Sequence, residues 1–586
     1  MNKIKLLLIS LTIICFGCKD MFEPEVENIR QIEESYKEPR FAQGILISAY
    51  ARIPTDSWDF SDMATDNAVA SNETNNFYRM STGEWAANFN PLETWANCFA
   101  AINYTNLALE IADTVTYSRT EGINKMFQDR AKGEAHGLRA LFLFHLLRAH
   151  SGMSGGRLLG VPLFTEYQLA SKGSIFNRPR ATFEECMKQL NDDIAKATGL
   201  LPDDYRDVAS VPAKYQGLGV NSGDYNRVFG DGSKLLLSGR VAKAIRAQAA
   251  LLAASPAYEG SGTTWAQAAE YAAEIIDLNG GVAGLSNTAQ GVTWYLNTNG
   301  QLDNIGNGNN PPEILWRNSV PGNSLDLEEN HFPPTLFGRG LLNPTQNLVD
   351  AFPMSNGYPI GHPQANYNPS QPYANRDPRL AHFIVYNGST AGVNSSTIIT
   401  AADGNTDDAI NRVETSTRTG YYMRKLLRQD VNLSQNSRNG QRHIKPRFRY
   451  TEFYLAYAEA ANEAFGPLGT GSRPYSAYDV IKAIRQRAGI GGGDPYLESI
   501  KGDKNAMRQL IRNERRLELS FEGFRFWDLR RWKENLTEPA KGMLIQGGTY
   551  NVVNVDNRVY QNHMVYGPVP YLEVLKFSEL QQNDNW

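Results

Sequence analysis

The stretch RNERRLELSFEGFRFWDLRRWK, Arg512 to Lys533, sets Arg512, Arg515, Arg516, Arg525, Arg530 and Arg531 among phenylalanine, tryptophan and leucine side chains. Three chemistries suit such a run: a basic surface for an acidic partner, a catalytic cluster, or ion pairs that hold elements together. The neighbouring carboxylates decide between them. Glu514, Glu518, Glu522 and Asp528 lie in the same stretch, so the arginines have local counter-charges. At helical spacing Met507, Leu510, Ile511, Leu517 and Phe521 share one face, with Arg512, Arg515 and Arg516 on the polar side beside Glu514 and Glu518. Arg515 and Glu518 are three apart and can pair. Gly523 suits the left-handed residue that ends a helix. The expectation is a buried or half-buried ion network clamping two elements, not a phosphate reader. A net charge of -4 over 586 residues agrees, because nucleic-acid binders carry a broad basic field.

The second set of candidates is aromatic. Side chains beyond the needs of a core often serve flat ligands such as sugar rings. In the segment DSWDFSDMATDNAVASNETNNFYRMSTGEW, Trp58, Phe77, Tyr78 and Trp85 stand among polar residues, with Asp66 and Asn67 as polar partners. Trp294, Tyr295 and Trp316 join them from the middle of the chain. Each also reads as a packing aromatic, Trp316 most of all because it follows Glu-Ile-Leu on an expected strand. A third set, Asp403, Asn405, Asp407 and Glu414, falls at positions one, three, five and twelve of a calcium loop of the EF-hand kind. Asp408 stands where that loop needs glycine, so a polar surface loop is the competing reading. A glycoside hydrolase would need two carboxylates about 5 to 9.5 Å apart across a cleft. With 62 acidic residues some pair always qualifies, so abundance decides nothing. No phosphate-cradling loop or zinc-binding HExxH is present, and no cofactor is expected.

The N-terminus addresses the protein. Lys3 and Lys5 precede an apolar run, Leu6 to Phe16, too short to cross a bilayer and shaped like a signal peptide. Gly17-Cys18 then resembles a bacterial lipoprotein cleavage box, in which Cys18 would be acylated and become the first residue. Cys15 stands where that box usually has leucine. Loss of Lys3 and Lys5 would take the charge from -4 to -6. Lys19-Asp20 and the glutamates behind it resemble the acidic export tag of surface-exposed lipoproteins in the Bacteroidetes. Cys98 and Cys186 remain, either as buried thiols or as a disulfide.

Helical signals dominate the elements that must position these groups. Trp95, Phe99, Ile102, Asn106 and Leu109 recur at spacings of three and four, as do Ala135, Leu138, Phe142 and Leu146. Thr182 with Glu185 three residues on forms a capping box, closed by Pro202. Further helices are expected over Ser238–Ala254, Trp265–Leu278, Thr451–Phe465, Ser476–Ala488 and Asn505–Phe521. They pair as antiparallel neighbours, with Ala131, Ala135, Ala247, Ala250, Ala456 and Ala460 at the crossings, as in diverged helical repeats. Between residues 280 and 440 Gly, Asn and Pro crowd the chain and only short strand-like fragments appear.

Several blocks then resemble one family in its own order: GEAHGLRALFLFHLLRAHSG, GVPLF, NLVDAFPMSNGYPI, RDPRLAHFIVYNG, RFRYTEFYLAYAEAANEA, IKAIRQRAG, the arginine stretch itself, and YGPVPYLEVLKFSELQQNDNW. The chain is identified on them as similar to the SusD/RagB lipoproteins of the Bacteroidetes outer membrane. The resemblance implies a mainly α fold: a tetratricopeptide-like helical-repeat scaffold with a loop-rich, irregular second subdomain carrying short strands. The implied organisation is a signal peptide over 1–17, an acidic tether over 18–35, a helical domain over 36–279 and a C-terminal domain over 280–586 with its loop-rich insert at 280–440. The implied function is binding without catalysis. Such proteins are lipid-anchored at the outer membrane, exposed on the cell surface, and capture oligosaccharides, or peptides in some members, for a SusC-type TonB-dependent transporter.

Overall fold

The structure, a computed structural model, describes residues 36–55, 58–170, 173–286, 291–296, 300, 302–306, 308–318 and 323–586. Cys18, the signal and the tether lie outside the described residues. No described helix is long and apolar enough to cross a membrane.

The scaffold is helical. α1 (Pro39–Tyr50), α2 (Trp95–Ile111), α3 (Glu121–His150), α4 (Phe183–Leu200), α5 (Gly239–Ala254), α6 (Trp265–Leu278), α7 (Tyr450–Phe465), α8 (Ala477–Ala488) and α9 (Lys504–Glu518) pack mostly as successive neighbours. α2 lies on α3, α3 on α4, α5 on α6, and α6 on α7 although 171 residues separate their ends and starts (450 minus 279). Small residues make these approaches close: Ala135, Ala247, Ala250, Ala456 and Ala460 are all buried. In α3 a Cβ on Gly137 would stand 2.4 Å from Leu237 Cδ2, so any larger residue there would displace the leucine side chain. Thr182 caps α4 through the expected reciprocal box with Glu185. Cys98 and Cys186 are buried and unbonded, and burial pushes the Cys186 thiol up to about 12.

The loop-rich part has its own core, which is why its glycines and asparagines do not leave its aromatics exposed. Phe60, Met63, Trp294, Tyr295, Phe332, Phe352, Phe383, Tyr421 and Met423 pack together there with Leu517 and Phe521. Short antiparallel pairs tie it down. β1 (Ala68–Ala70) pairs with β3 (Leu342–Pro344), and β2 (Ile314–Arg317) with β4 (Pro446–Arg449). β5 (Ala540–Gln546) and β6 (Thr549–Asp556) form a hairpin. The β1–β3 ladder binds residues just before α2 to the loop-rich core.

The arginine stretch lies between the two cores. α9 ends at Glu518, three residues before the expected end, because Phe521 takes a left-handed φ of 64° and donates its N–H to Asp62 Oδ1 at 3.2 Å. Gly523 is also left-handed, at 79°. The expected network is present with different partners. Arg515 pairs with Asp528 at 2.8 Å and not with Glu518. Glu518 instead lies 2.9 Å from both Arg379 and Arg487. Glu514 lies 2.9 Å from Arg379 and 2.7 Å from Arg485, and Glu522 lies 2.7 Å from Arg449 and 2.6 Å from Lys425. The partners of these three glutamates lie between 29 and 139 positions away (514 minus 485 and 518 minus 379), so intrahelical spacing does not reveal them. Burial raises the Glu518 carboxyl, but Arg487, Arg379 and Arg449 outweigh it and hold the group near about 2.

Candidate functional site

The two residues from the aromatic segment that meet a polar surface are Phe77 and Tyr78. They sit on a short helix, Asn76–Arg79, nucleated by Asn75, whose Oδ1 accepts from the Phe77 N–H at 2.8 Å and the Tyr78 N–H at 3.4 Å. Both rings are half-buried against the loop-rich core. The Arg418 guanidinium lies 5.4 Å from the Tyr78 ring centroid. Its place is fixed from three sides: Asp556 accepts at 2.5 and 3.1 Å, and the Ala70 carbonyl accepts at 3.1 Å. The Arg418 N–H also donates to Asn343 Oδ1 at 2.9 Å. The ends of β1 and β6 therefore converge on one guanidinium beside one aromatic face, while Asn343 of β3 holds the Arg418 backbone. Burial, then the negative charges of Asp556 and Glu73, raise the Tyr78 hydroxyl, which stays protonated and able to donate at neutral pH.

A tongue leaves the same end of the β1–β3 ladder. Arg339 N donates to the Glu329 carbonyl at 2.9 Å, Gly340 N to Phe332 at 3.0 Å, and Leu341 N to Asn330 at 2.9 Å. Ser71 N closes onto the Leu341 carbonyl at 2.9 Å. At the tip Phe337 is 65% exposed with a left-handed φ of 64°, a conformation costly for a large side chain. Thr335 N, bound to Asp408 Oδ1 at 2.8 Å, holds the tip in place. Chemically, this shelf offers aromatic surface bordered by a guanidinium, carboxylates and a phenol. That is the pattern that holds a hydroxyl-rich ring by stacking and directional hydrogen bonds.

The other expected site residues go elsewhere. Trp85 is buried: Phe526, Tyr560 and Trp586 meet it edge-on and the Arg530 guanidinium lies 4.9 Å from its ring centroid. Trp294 and Tyr295 pack edge-to-face in the interior. Trp316 is buried and donates its indole N–H to the Leu235 carbonyl at 2.9 Å. For these four the packing reading replaces the ligand reading. Asn67 is fully buried, donating to Asp62 at 2.8 Å and accepting from Arg516 at 2.7 Å. Asp66 is half-buried between Arg516 and Arg525. Trp58 is half-buried, with the Lys445 ammonium 4.9 Å from its ring centroid.

The calcium reading fails on geometry. Asp403 accepts from Gly547 N at 2.9 Å, and Asn405 from Arg412 at 3.0 Å. No flanking helices form around residues 403–414. Among the described residues no group of three or more His, Cys, Asp or Glu is gathered to hold a metal ion. Several buried carboxyls hold their protons more tightly than usual, among them Glu452, which burial lifts to about 7. It lines an interior cavity of about 30 Å3 with Glu522, room for a water and not for a sugar ring.

Comparison with known proteins covers most of the chain. Residues 312–586 match the family described as SusD family, and residues 37–220 match one described as starch-binding associating with outer membrane. A SusD-like protein from Bacteroides fragilis superposes with a TM-score of 0.69 at 22% identity, covering 94% of this chain and 98% of that one. A SusD-like carbohydrate binding protein from the same species gives 0.67 at 21% identity, over 93% and 100%. At such identity these likenesses speak for the fold. The curated SusD-like protein P25 of Formosa agariphila is 32% identical over 111 residues, 19% of this chain and only 19% of that protein's length.

Proposed function

The chain belongs to the SusD/RagB family, and from that premise we propose that it is a carbohydrate-binding protein of the outer membrane whose shelf of Phe77, Tyr78, Arg418 and Asp556 receives an oligosaccharide. The observation that carries this reading is the fixed guanidinium beside the Tyr78 face. The description of the N-terminal family match as starch-binding, and of one structural neighbour as carbohydrate binding, supports the ligand class. Acylation of Cys18 anchors the protein, and capture on the shelf precedes transfer to a SusC-type TonB-dependent transporter. The role is binding without turnover.

The test is retention on an oligosaccharide array, with the recovered sugar analysed for cleavage. Retention of intact sugar, lost in Tyr78→Ala, is the expected result. Released product would favour the hydrolase reading, and retention unaffected by Tyr78→Ala would move the site off the shelf. The anchor is checked by Cys18→Ala, which should leave the membrane fraction.

A further inference from the structure

The outer edge of the arginine stretch is not closed. A cleft of about 280 Å3 opens there, lined by Arg512, Arg516, Arg525, Asp66, Asn513 and Trp532. We propose that this cleft is a second binding site, one that takes a carboxylate group on a small polyhydroxy or organic acid.

Asp66 accepts both Arg525 contacts, at 2.9 and 2.8 Å, and also lies 3.0 Å from Arg516 Nη2. Arg516 Nε is spent on Asn67. Arg512 bonds Glu534 through Nη1, and its guanidinium lies 4.8 Å from the Trp532 ring centroid. Among the described residues, Nη1 of Arg516, Nη1 of Arg525 and Nη2 of Arg512 have no hydrogen-bond partner, and Arg512 Nε is buried without one. Each guanidinium carries five N–H donors and no acceptor. The cleft therefore presents uncommitted donors on three planar forks, two of which, Arg516 and Arg525, share the interior carboxylate of Asp66 while Arg512 is held by Glu534. Guanidinium forks with donors turned to a cleft recognise a planar acceptor pair, and a carboxylate matches that geometry best.

Charge limits the ligand further. Glu534 and Glu538 stand at the margin with Asp66 inside, so the lining is near neutral and a multiply charged anion gains little. A monoanion fits. Gln509 and Asn535 at the mouth are hydrogen-bonding amides suited to hydroxyls. Burial and the nearby Arg525 lower the Arg516 pKa to about 10, an unfavourable state that an incoming anion relieves. The volume sits near the lower end of ligand pockets, roughly 300 Å3, enough for a single small acid. The site is separate from the shelf, with which it shares no lining residue.

Titration calorimetry of the mature protein with D-glucuronate, acetate and D-glucose tests the idea. Saturable binding of glucuronate, without glucose binding, is expected. Equal affinity for acetate would identify a free small acid as the source, and tighter glucuronate binding a uronic acid. Arg512→Gln should weaken either acid about tenfold or more. Should that variant fold poorly, Gln509→Glu places a negative charge at the exposed mouth without touching the core, and should also weaken binding. Tyr78→Ala should leave acid binding unchanged, which separates this site from the shelf. Absence of saturable acid binding, or acid binding indifferent to both cleft variants, would overturn the proposal.

Discussion

Arginine meets carboxylate in two settings in this protein, and the surroundings give the same pair two roles. In the interior Glu518 is shared by Arg379 and Arg487, all three without access to water. Beside the shelf Arg418 grips Asp556 at 2.5 Å, yet Arg418 keeps 18% of its side chain exposed and lies beside a half-buried aromatic ring. Enclosed pairs cannot reorganise and serve as mortar, since breaking one strands a charge in low dielectric. A pair at the surface keeps one edge of the guanidinium for a newcomer. The contrast predicts large stability effects inside with no change in binding, and the reverse at the shelf.

The largest effect belongs to Glu518→Gln. It leaves Arg379 and Arg487 short of a counter-charge, and the expected loss is about 3 to 5 kcal/mol by urea denaturation. Sugar retention by the folded fraction should not change. If the variant is as stable as the parent, the interior lattice is not what joins the two cores. The pH profile gives an independent view. The folded Glu518 pKa is depressed to about 2, so its stabilisation is present above the ordinary unfolded value and is lost as pH falls from about 4.5 toward about 2.

Glu452 runs the other way. Its folded pKa is raised by burial to about 7, so the folded state holds the proton more tightly than the unfolded chain. That contribution is present below about 4.5 and is lost as pH rises through about 7. Glu452→Gln keeps the shape and removes the charge. It should stabilise the protein at pH 8 by up to about 3 kcal/mol and change little at pH 4. A thermal melt at the two pH values checks this, and equal shifts at both would refute the sign.

How far the sequence could be read follows from the same contrast. Helices announce themselves locally: Trp265–Leu278 was legible to the residue, and the Thr182 capping box needs only neighbours three apart. Ion-pair partners are tertiary. Nothing near Glu518 points to Arg379, and so the local partner Arg515 looked right while Asp528 held it. The same distance hides the shelf. Arg418 and Asp556 lie 340 and 478 positions after Tyr78 (418 minus 78 and 556 minus 78), so no spacing rule joins them. Trp85, Trp294, Tyr295 and Trp316 misled for another reason. Polar flanking sequence suggested solvent for Trp85, Trp294 and Tyr295, whereas the chain folds back over smaller cores that enclose them, and Trp316 packs in the main helical core as its place on an expected strand already allowed.

At the shelf the expected effects are smaller and fall on affinity. Tyr78→Ala removes a face beside Arg418 without opening the main cores, since the ring is only half-buried. Affinity for the captured sugar should fall by about 2 kcal/mol, near thirtyfold, in isothermal titration. A loss of stability comparable to that of the interior variants would instead make Tyr78 a packing residue.

Tyr78→Phe is the smallest perturbation and the sharpest. It keeps the ring, its half-burial and its place beside the Arg418 guanidinium, and deletes the hydroxyl alone. Burial, and then Asp556 and Glu73, disfavour the phenolate further, so that hydroxyl stays protonated across neutral pH. If stacking supplies the binding, the phenylalanine variant should retain most of the affinity that alanine loses. If the phenol donates to a sugar oxygen, one neutral hydrogen bond disappears, for about 0.5 to 1.5 kcal/mol, or roughly two- to tenfold in Kd. Stability should move less than affinity in either case, because the change leaves no cavity. Titration of the two variants beside the parent therefore divides the shelf into its apolar and polar parts. A phenylalanine variant as weak as alanine would show that the ring face itself contributes nothing and that the hydroxyl carries the whole contribution of Tyr78.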